Sequence, residues 1–338
     1  MDVLSDVLRT VRLTGSIFFT ADLYHPWSVS SPTTEMLLHH MPTKAECVSL
    51  FHIVTEGESW FKTENSKPFL LRQGSVIIFP HCVSHLMGST LQQRPVPVIQ
   101  LLTPDILLGN TNLHHGGSGK KAQFICGYLL CDQRFNPLLG AIPELLIVSS
   151  EKERILSQNP GLSVDILSAA PDSWLNATIH HLIHEVVEKN SGSATIITRL
   201  TELMFVEVLR KFMSSLPEKS RGWLAGLRDP QVGRALKWMH AHPEEKWDVE
   251  QLAAKVGVSR SAFAKRFTDL IGESPMQYLT GWRMQLAKNL LLRPELSMGM
   301  VADKVGYDSD IAFNRAFKRQ IGIPPARWRE TTRSHQIA

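Results

Sequence analysis

Cysteine is scarce in this chain of 338 residues, and the four present, Cys47, Cys82, Cys126 and Cys131, have neither the density nor the spacing of a secreted disulfide framework. A reducing cytoplasm is therefore the expectation. Long apolar runs are missing too: none approaches the ~20 residues that cross a bilayer, which argues against a membrane partner. Met1 to Gly15 has no apolar core of a secretion signal, because Asp2, Asp6, Arg9 and Arg12 interleave with leucines and valines. That spacing predicts an amphipathic helix. No low-complexity or collagen-like tract occurs. With 43% hydrophobic and 20% charged residues the composition is globular, and the length suffices for two domains with separate cores.

Net charge is a modest +4 but unevenly placed. From Arg228 onward 18 Lys and Arg stand against 12 Asp and Glu, whereas the preceding residues carry 18 against 20. The basic excess lies where a polyanion would bind.

That basic stretch contains one two-helix unit written twice. The first copy reads Leu252-Ala253-Ala254-Lys255-Val256-Gly257-Val258-Ser259, followed by Phe263, Phe267, Gly272 and Pro275. The second reads Val301-Ala302-Asp303-Lys304-Val305-Gly306-Tyr307, followed by Phe313, Phe317, Gly322 and Pro325. Repetition at small, apolar and glycine positions marks a duplicated supersecondary unit. Each copy fits a helix-turn-helix entered through Ser259 or Ser309 as N-cap. Helical spacing turns Ala262, Phe263, Phe267 and Leu270 inward on the first second-helix, and Phe313, Ala316 and Phe317 inward on the second. The outward sets, Arg260, Ser261 and Lys265 with Asp310, Asn314 and Arg315, are candidate DNA contacts. Lys265 and Arg315 occupy equivalent places one turn in, where a long cation reaches guanine O6 and N7. Lys318 and Arg319 suit phosphates. Between the copies, Ser274-Pro275 opens a helix to about Arg293, some 18 residues and about 27 Å long. It would separate the two readers by nearly one turn of double-stranded DNA, roughly 34 Å.

Upstream the periodicity differs. From about residue 16 to 147, short alternating or apolar runs broken by Gly and Pro predict an antiparallel barrel or jelly roll. Helical periodicity follows over about 172–213. The second of these helices, Ile196 to Phe212, has an apolar band wide enough for a homodimer seam as well as for packing. Residues 216–229, with Pro217, Gly222 and Gly226, read as a linker between a 1–215 domain and a 230–338 domain.

Residues 230–330 resemble the DNA-binding domain of AraC/XylS-type transcriptional regulators, on Leu252-Ala253, Gly257-Val258-Ser259, Phe263, Phe267, Gly272, Pro275, Ala287, Leu291, Val301-Ala302, Gly306-Tyr307, Ala312-Phe313, Phe317-Lys318-Arg319, Gly322, Pro325 and Trp328-Arg329. The N-terminal part resembles the cupin-type sensor of one branch of these regulators, on Phe51-His52, the Gly74 to His85 spacing, Cys126-Gly127-Tyr128, Pro137-Leu138-Leu139 and Ile142-Pro143. The resemblance implies a multi-domain α+β protein. An N-terminal cupin-like jelly roll with flanking helices precedes an all-α domain, in which a long helix joins two helix-turn-helix units. It implies a bacterial, cytoplasmic regulator of promoter DNA that engages RNA polymerase if it activates.

His52 and His85 should converge inside the barrel, with Cys82 on the turn at its mouth. A divalent metal on His52 and His85 would need a further ligand such as Glu58, His81 or Cys82. The pattern departs from metal-binding cupins in lacking a second His two residues after His52 and in placing Cys82 where Gly is usual. A small molecule, a metal or an oxidant are the candidate signals. The competing reading is a metal-dependent cupin enzyme fused to a nucleic-acid-binding domain.

Overall fold

The computed structural model describes residues 2–11, 14–32, 36–37, 47–107, 111–131, 137–150, 165–168, 170 and 173–334. Helix α1 (Val3–Val11) comes first, then strands β1 (Thr14–Tyr24), β2 (Ser28–Ser30), β3 (Cys47–Glu56), β4 (Glu58–Thr63), β5 (Phe69–Arg72), β6 (Val76–Phe79), β7 (His85–Gly88) and β8 (Val96–Pro97). A single turn, α2 (Pro104–Leu107), precedes β9 (Leu113–Gly116), β10 (Lys121–Cys131), β11 (Leu146–Ser149) and β12 (Asp165–Ser168). Helices α3 (Trp174–Glu188) and α4 (Ser193–Ser215) follow. The rest is helical: α5 (Trp223–Arg228), α6 (Val232–Ala241), α7 (Val249–Val256), α8 (Arg260–Ile271), α9 (Pro275–Leu291), α10 (Met298–Lys304), α11 (Asp310–Ile321) and α12 (Pro325–Ser334).

Two compact units result. One comprises Arg12–Arg134 and Ile142–Ser215; the other comprises Met1–Val11, Phe135–Ala141 and Leu216–Ala338.

The first unit is the jelly roll. Its larger sheet runs β12-β11-β6-β3-β10-β1-β9 and its smaller sheet β5-β4-β7-β2-β8. The two-residue period is plain in β4, where Ser59, Phe61 and Thr63 are buried and Glu58, Trp60 and Lys62 exposed. Gly57 makes the β3–β4 turn at φ +72°, where an added Cβ would lie 2.6 Å from the Lys121 carbonyl. Phe61, Phe69, Ile77, Phe79 and Phe124 are wholly buried in the core of this unit. Helix α4 packs on β1 and β12. Its apolar band divides: Met204, Phe205, Val208, Leu209 and Phe212 are buried, while Ile196 and Leu203 remain 43% and 41% exposed.

The second unit is all helix apart from its short connections. Residues expected as a linker include α5, whose Trp223 and Leu224 are buried. The expected start signals appear as hydrogen bonds. Asp248 and Gln251 form a capping box on α7, Ser274 and Gln277 another on α9, and Ser259, Ser297 and Ser309 cap α8, α10 and α11. Helix α9 spans 17 residues, about 26 Å. Among the described residues no helix is long and apolar enough to cross a membrane.

Candidate nucleic-acid interface and sensor cavity

The second helix of each helix-turn-helix is fixed from behind and open in front. In α8 the rings of Phe263 and Phe267 are wholly buried and pack edge to face; in α11 Phe313 and Phe317 do the same work. An i, i+4 pair of aromatics anchors one stripe and leaves the opposite face to solvent. Arg260, Ser261 and Lys265 are exposed on α8, and Asp310, Arg315, Lys318 and Arg319 on α11. Asn314 is half-buried, with its amide donating to the Asp310 carbonyl at 2.8 Å. Ala262, expected inward, is exposed. It precedes Phe263 by one residue, about 100° around the helix, so it falls outside the narrow stripe the two rings cover.

Lys265 lies 2.6 Å from Asp269, one turn on, and the lysine holds that carboxyl below the ordinary range. Arg266, which the sequence pattern did not single out, binds Asp229 through two nitrogens at 2.6 and 2.9 Å and so ties α8 to the start of α6.

The sensor candidates meet inside the jelly roll. Register places His52 of β3 directly opposite Cys126 of β10, and side chains so paired lie on one face. His52 Nδ1 is 3.0 Å from Cys126 Sγ. His85, on β7 of the other sheet, reaches across so that its Nε2 is 2.9 Å from His52 Nε2. Its ring stacks on Phe79 at 3.7 Å, and its Nδ1 is 2.9 Å from the Val83 carbonyl.

Burial sets the charge of all three groups. It pushes His52 well below its usual value, with His85 adding to the effect, and it lowers His85 to about 4. The same desolvation pushes the Cys126 thiol upward. With every member neutral, only one hydrogen-bond direction is possible. The Val83 carbonyl can only accept, so His85 Nδ1 carries a proton and His85 Nε2 accepts from His52 Nε2–H. His52 Nδ1 is then an acceptor, and Cys126 S–H donates to it.

Around these three groups lies an apolar cavity with about 50 Å³ open to the centres of water-sized molecules, walled by residues such as Phe19, Leu23, Val29, Leu50, Met87 and Leu113. The wall holds Cys126 and not Cys82. Cys82 is buried in a turn at φ +50°, its N–H donating to the Phe79 carbonyl. A residue in that left-handed conformation occupies a place glycine adopts without strain.

Of the further ligands considered for a metal on His52 and His85, Glu58 and His81 are engaged elsewhere. Glu58 is exposed and pairs with Arg72 at 3.0 Å, and the His81 ring lies 3.2 Å from the Ile142 carbonyl, to which it donates. Both ring nitrogens of His52 are occupied by other side chains, and no group of three potential ligands occurs among the described residues.

Comparison with known proteins agrees with both halves. A cupin family model matches residues 2–214, and a helix-turn-helix domain model matches residues 252–331. The chain belongs to the AraC/XylS-type transcriptional regulators that carry an N-terminal cupin domain, and it is a DNA-binding regulator of transcription. It is 26% identical to the HTH-type transcriptional regulator AlkR of Acinetobacter baylyi over 98% of this chain and 99% of that protein. It is 23% identical to the RCS-specific HTH-type transcriptional activator RclR of Escherichia coli, over 98% and 99% respectively. Among solved structures, the DNA-binding domain of AdpA in complex with a target DNA is 37% identical, covering 31% of this chain and 95% of that one, with a TM-score of 0.30.

Proposed function

We propose that this regulator works in the bacterial cytoplasm without catalysing a reaction, and that α8 and α11 enter successive major grooves of promoter DNA. The observation that carries the DNA reading is the pair of exposed cations, Lys265 and Arg315, each six residues past its N-cap serine. Arg260, Ser261, Asp310 and Asn314 complete the groove-facing sets, and Lys318 and Arg319 take phosphates. A bound regulator placed in this way is suited to engage RNA polymerase and activate. The half-exposed Ile196 and Leu203, seven residues apart on α4, support a homodimer seam that Phe212, being buried, does not join. The full-length protein should bind a duplex that it selects from random sequence. If ~6 phosphates are neutralised, log K falls with log salt at a slope near −5. Failure to bind any duplex at low salt would overturn the DNA reading.

The signal is read as a neutral, apolar small molecule held in the jelly-roll cavity. Among the described residues of the wall, His52, His85 and Cys126 satisfy one another without net charge and Ser31 Oγ accepts from the His85 N–H, so an ionised ligand would meet no opposite charge to offset its desolvation. A buried, protonated thiol is also a poor nucleophile, which disfavours direct oxidation of Cys126. Toluene should therefore raise the melting temperature of the full-length protein while benzoate, of similar size but charged, should not. The reverse order would overturn this assignment.

A further inference from the structure

The described wall of the jelly-roll cavity holds four polar side chains, Ser31, His52, His85 and Cys126, and three of them are engaged in one line of hydrogen bonds. Cys126 S–H donates to His52 Nδ1, His52 Nε2–H to His85 Nε2, and His85 Nδ1–H to the Val83 carbonyl. Every proton in that line has an acceptor.

Ser31 enters differently. Strand β2 pairs with β7 through Ser28 with Gly88, Val29 with Met87 and Ser30 with Leu86, so the next pair in the same register is Ser31 with His85. Ser31 N–H donates to the His85 carbonyl at 2.9 Å, which continues the ladder by one bond. The return bond is made by a side chain: His85 N–H donates to Ser31 Oγ, also at 2.9 Å. A hydroxyl has one proton and two lone pairs, and the His85 N–H takes one lone pair. Oγ is therefore held beside the imidazoles while its O–H still turns about the Cβ–Oγ bond. Among the described residues no acceptor engages that proton. Ser31 is also half-buried where the other three are buried, so a molecule in the cavity meets it without breaking an existing bond.

We propose that Ser31 is the polar reader of the cavity, and that its ligand is a neutral, mostly apolar molecule with one carbonyl or ether oxygen that accepts from Ser31 Oγ–H. The proposal rests on the reading of the cavity as a site for a neutral small molecule and names the polar group that molecule carries. Chemistry calls for an acceptor on the ligand. A hydroxyl proton covered by hydrocarbon loses its solvent partner and gains none, whereas an oxygen that already accepts one bond tolerates an unused lone pair. Toluene fills the apolar part of such a site and leaves the proton unmet; a ketone of similar size meets it.

Acetophenone and α-methylstyrene isolate that bond, because they have nearly one shape and differ in a carbonyl oxygen replaced by a methylene. Binding of each to the full-length protein is followed by the rise in melting temperature over a concentration series. Ser31→Ala should weaken acetophenone by about tenfold, as loss of one neutral hydrogen bond does, and leave α-methylstyrene within about twofold. Ser31→Thr keeps a hydroxyl and should retain the ketone. Since Ser31→Ala also deprives the His85 N–H of its acceptor, the parent supplies a second readout should that variant not fold. The carbonyl stretch of bound acetophenone should lie below its frequency in hexane, as it does for a hydrogen-bonded carbonyl. Equal losses of both compounds in Ser31→Ala, or a bound carbonyl at the hexane frequency, overturn the role of Ser31 and leave the cavity reading standing. A parent stabilised by neither compound nor by toluene overturns both.

Discussion

In the first helix-turn-helix copy Lys265 is held by Asp269 and Arg266 by Asp229; in the second, Arg315, Lys318 and Arg319 are exposed and enter no ion pair among the described residues. The buried sides are nearly superimposable in chemistry, yet they too are supported differently. Behind Phe267 lies Tyr278, whose hydroxyl accepts from Trp223 Nε1–H and donates to His240 Nε2, both at 2.8 Å. Behind Phe317 lies Trp328, with the Lys288 ammonium 5.8 Å from its ring. The two turns differ as well. Gly257 at φ +78° has open space where a Cβ would go, whereas Gly306 at φ +77° is pressed by the Arg283 guanidinium and the Glu244 carbonyl, each 2.7 Å from that position. The first copy is braced by polar contacts that occupy Lys265 and Arg266, and the second leaves Arg315, Lys318 and Arg319 to a partner.

The largest effect should be the one that treats the copies alike. Phe263→Ala and Phe313→Ala each remove a wholly buried ring and should each cost about 3–5 kcal/mol in denaturant unfolding of the helical unit. A markedly smaller cost for one of them would show that this copy opens on its own.

The next effect separates them. Arg315→Ala should lose about 1–3 kcal/mol of specific binding and relax selectivity at its base. Lys265→Ala should fall at the low end of that range, because part of the lysine's interaction in free protein is already with Asp269. Footprints in which both substitutions disturb the same half-turn of DNA would contradict docking into two grooves. Lys318→Ala should weaken all sequences alike.

Acid should weaken the first copy before the second. Burial lowers His240 to about 3 against an unfolded value of 6.5, so the folded state keeps a neutral imidazole that the unfolded chain protonates. Stability is complete above pH 6.5 and falls as pH drops toward 3, by at most about 1.4 kcal/mol per unit for this one group. Exchange protection of α7 and α8 should decline more than that of α10 and α11 between pH 7 and 5, and His240→Phe should flatten the difference. Equal declines in both copies would place the acid sensitivity elsewhere.

The helical unit was legible because its periodicity, caps and turn glycines are local, and because duplication states each core position twice. Ala262 was misassigned since the small residue gives no signal of its own and its neighbour Phe263 sets the stripe. Much of the cavity was not legible. His52 and His85 stand out by spacing, but the thiol that faces His52 belongs to Cys126, 74 residues away, and only strand register brings it there. Cys82, closer in sequence, is carried into a turn by its left-handed backbone. The first helix could be read as amphipathic, but nothing in its own residues names α6 and α9 as what its apolar face covers.

The smallest effect has the opposite sign. Asp269 is exposed, and its hydrogen bond with Lys265 lowers its pKa, so the two interact in the free protein. Exposed pairs at this spacing contribute little to stability, so Asp269→Ala should leave the fold intact. For DNA the residue matters differently: a carboxylate one turn along the recognition helix repels phosphates and competes for the lysine. Its removal should therefore tighten binding by roughly twofold at low salt, and the gain should shrink as salt screens both charges. In the second copy the position equivalent to Asp269 is Arg319, so the same comparison predicts that Arg319→Ala weakens binding where Asp269→Ala strengthens it. Opposite signs at equivalent positions, measured on one duplex over a salt series, would establish that the copies divide the work. Matching signs would mean that α8 does not face the phosphates as α11 does.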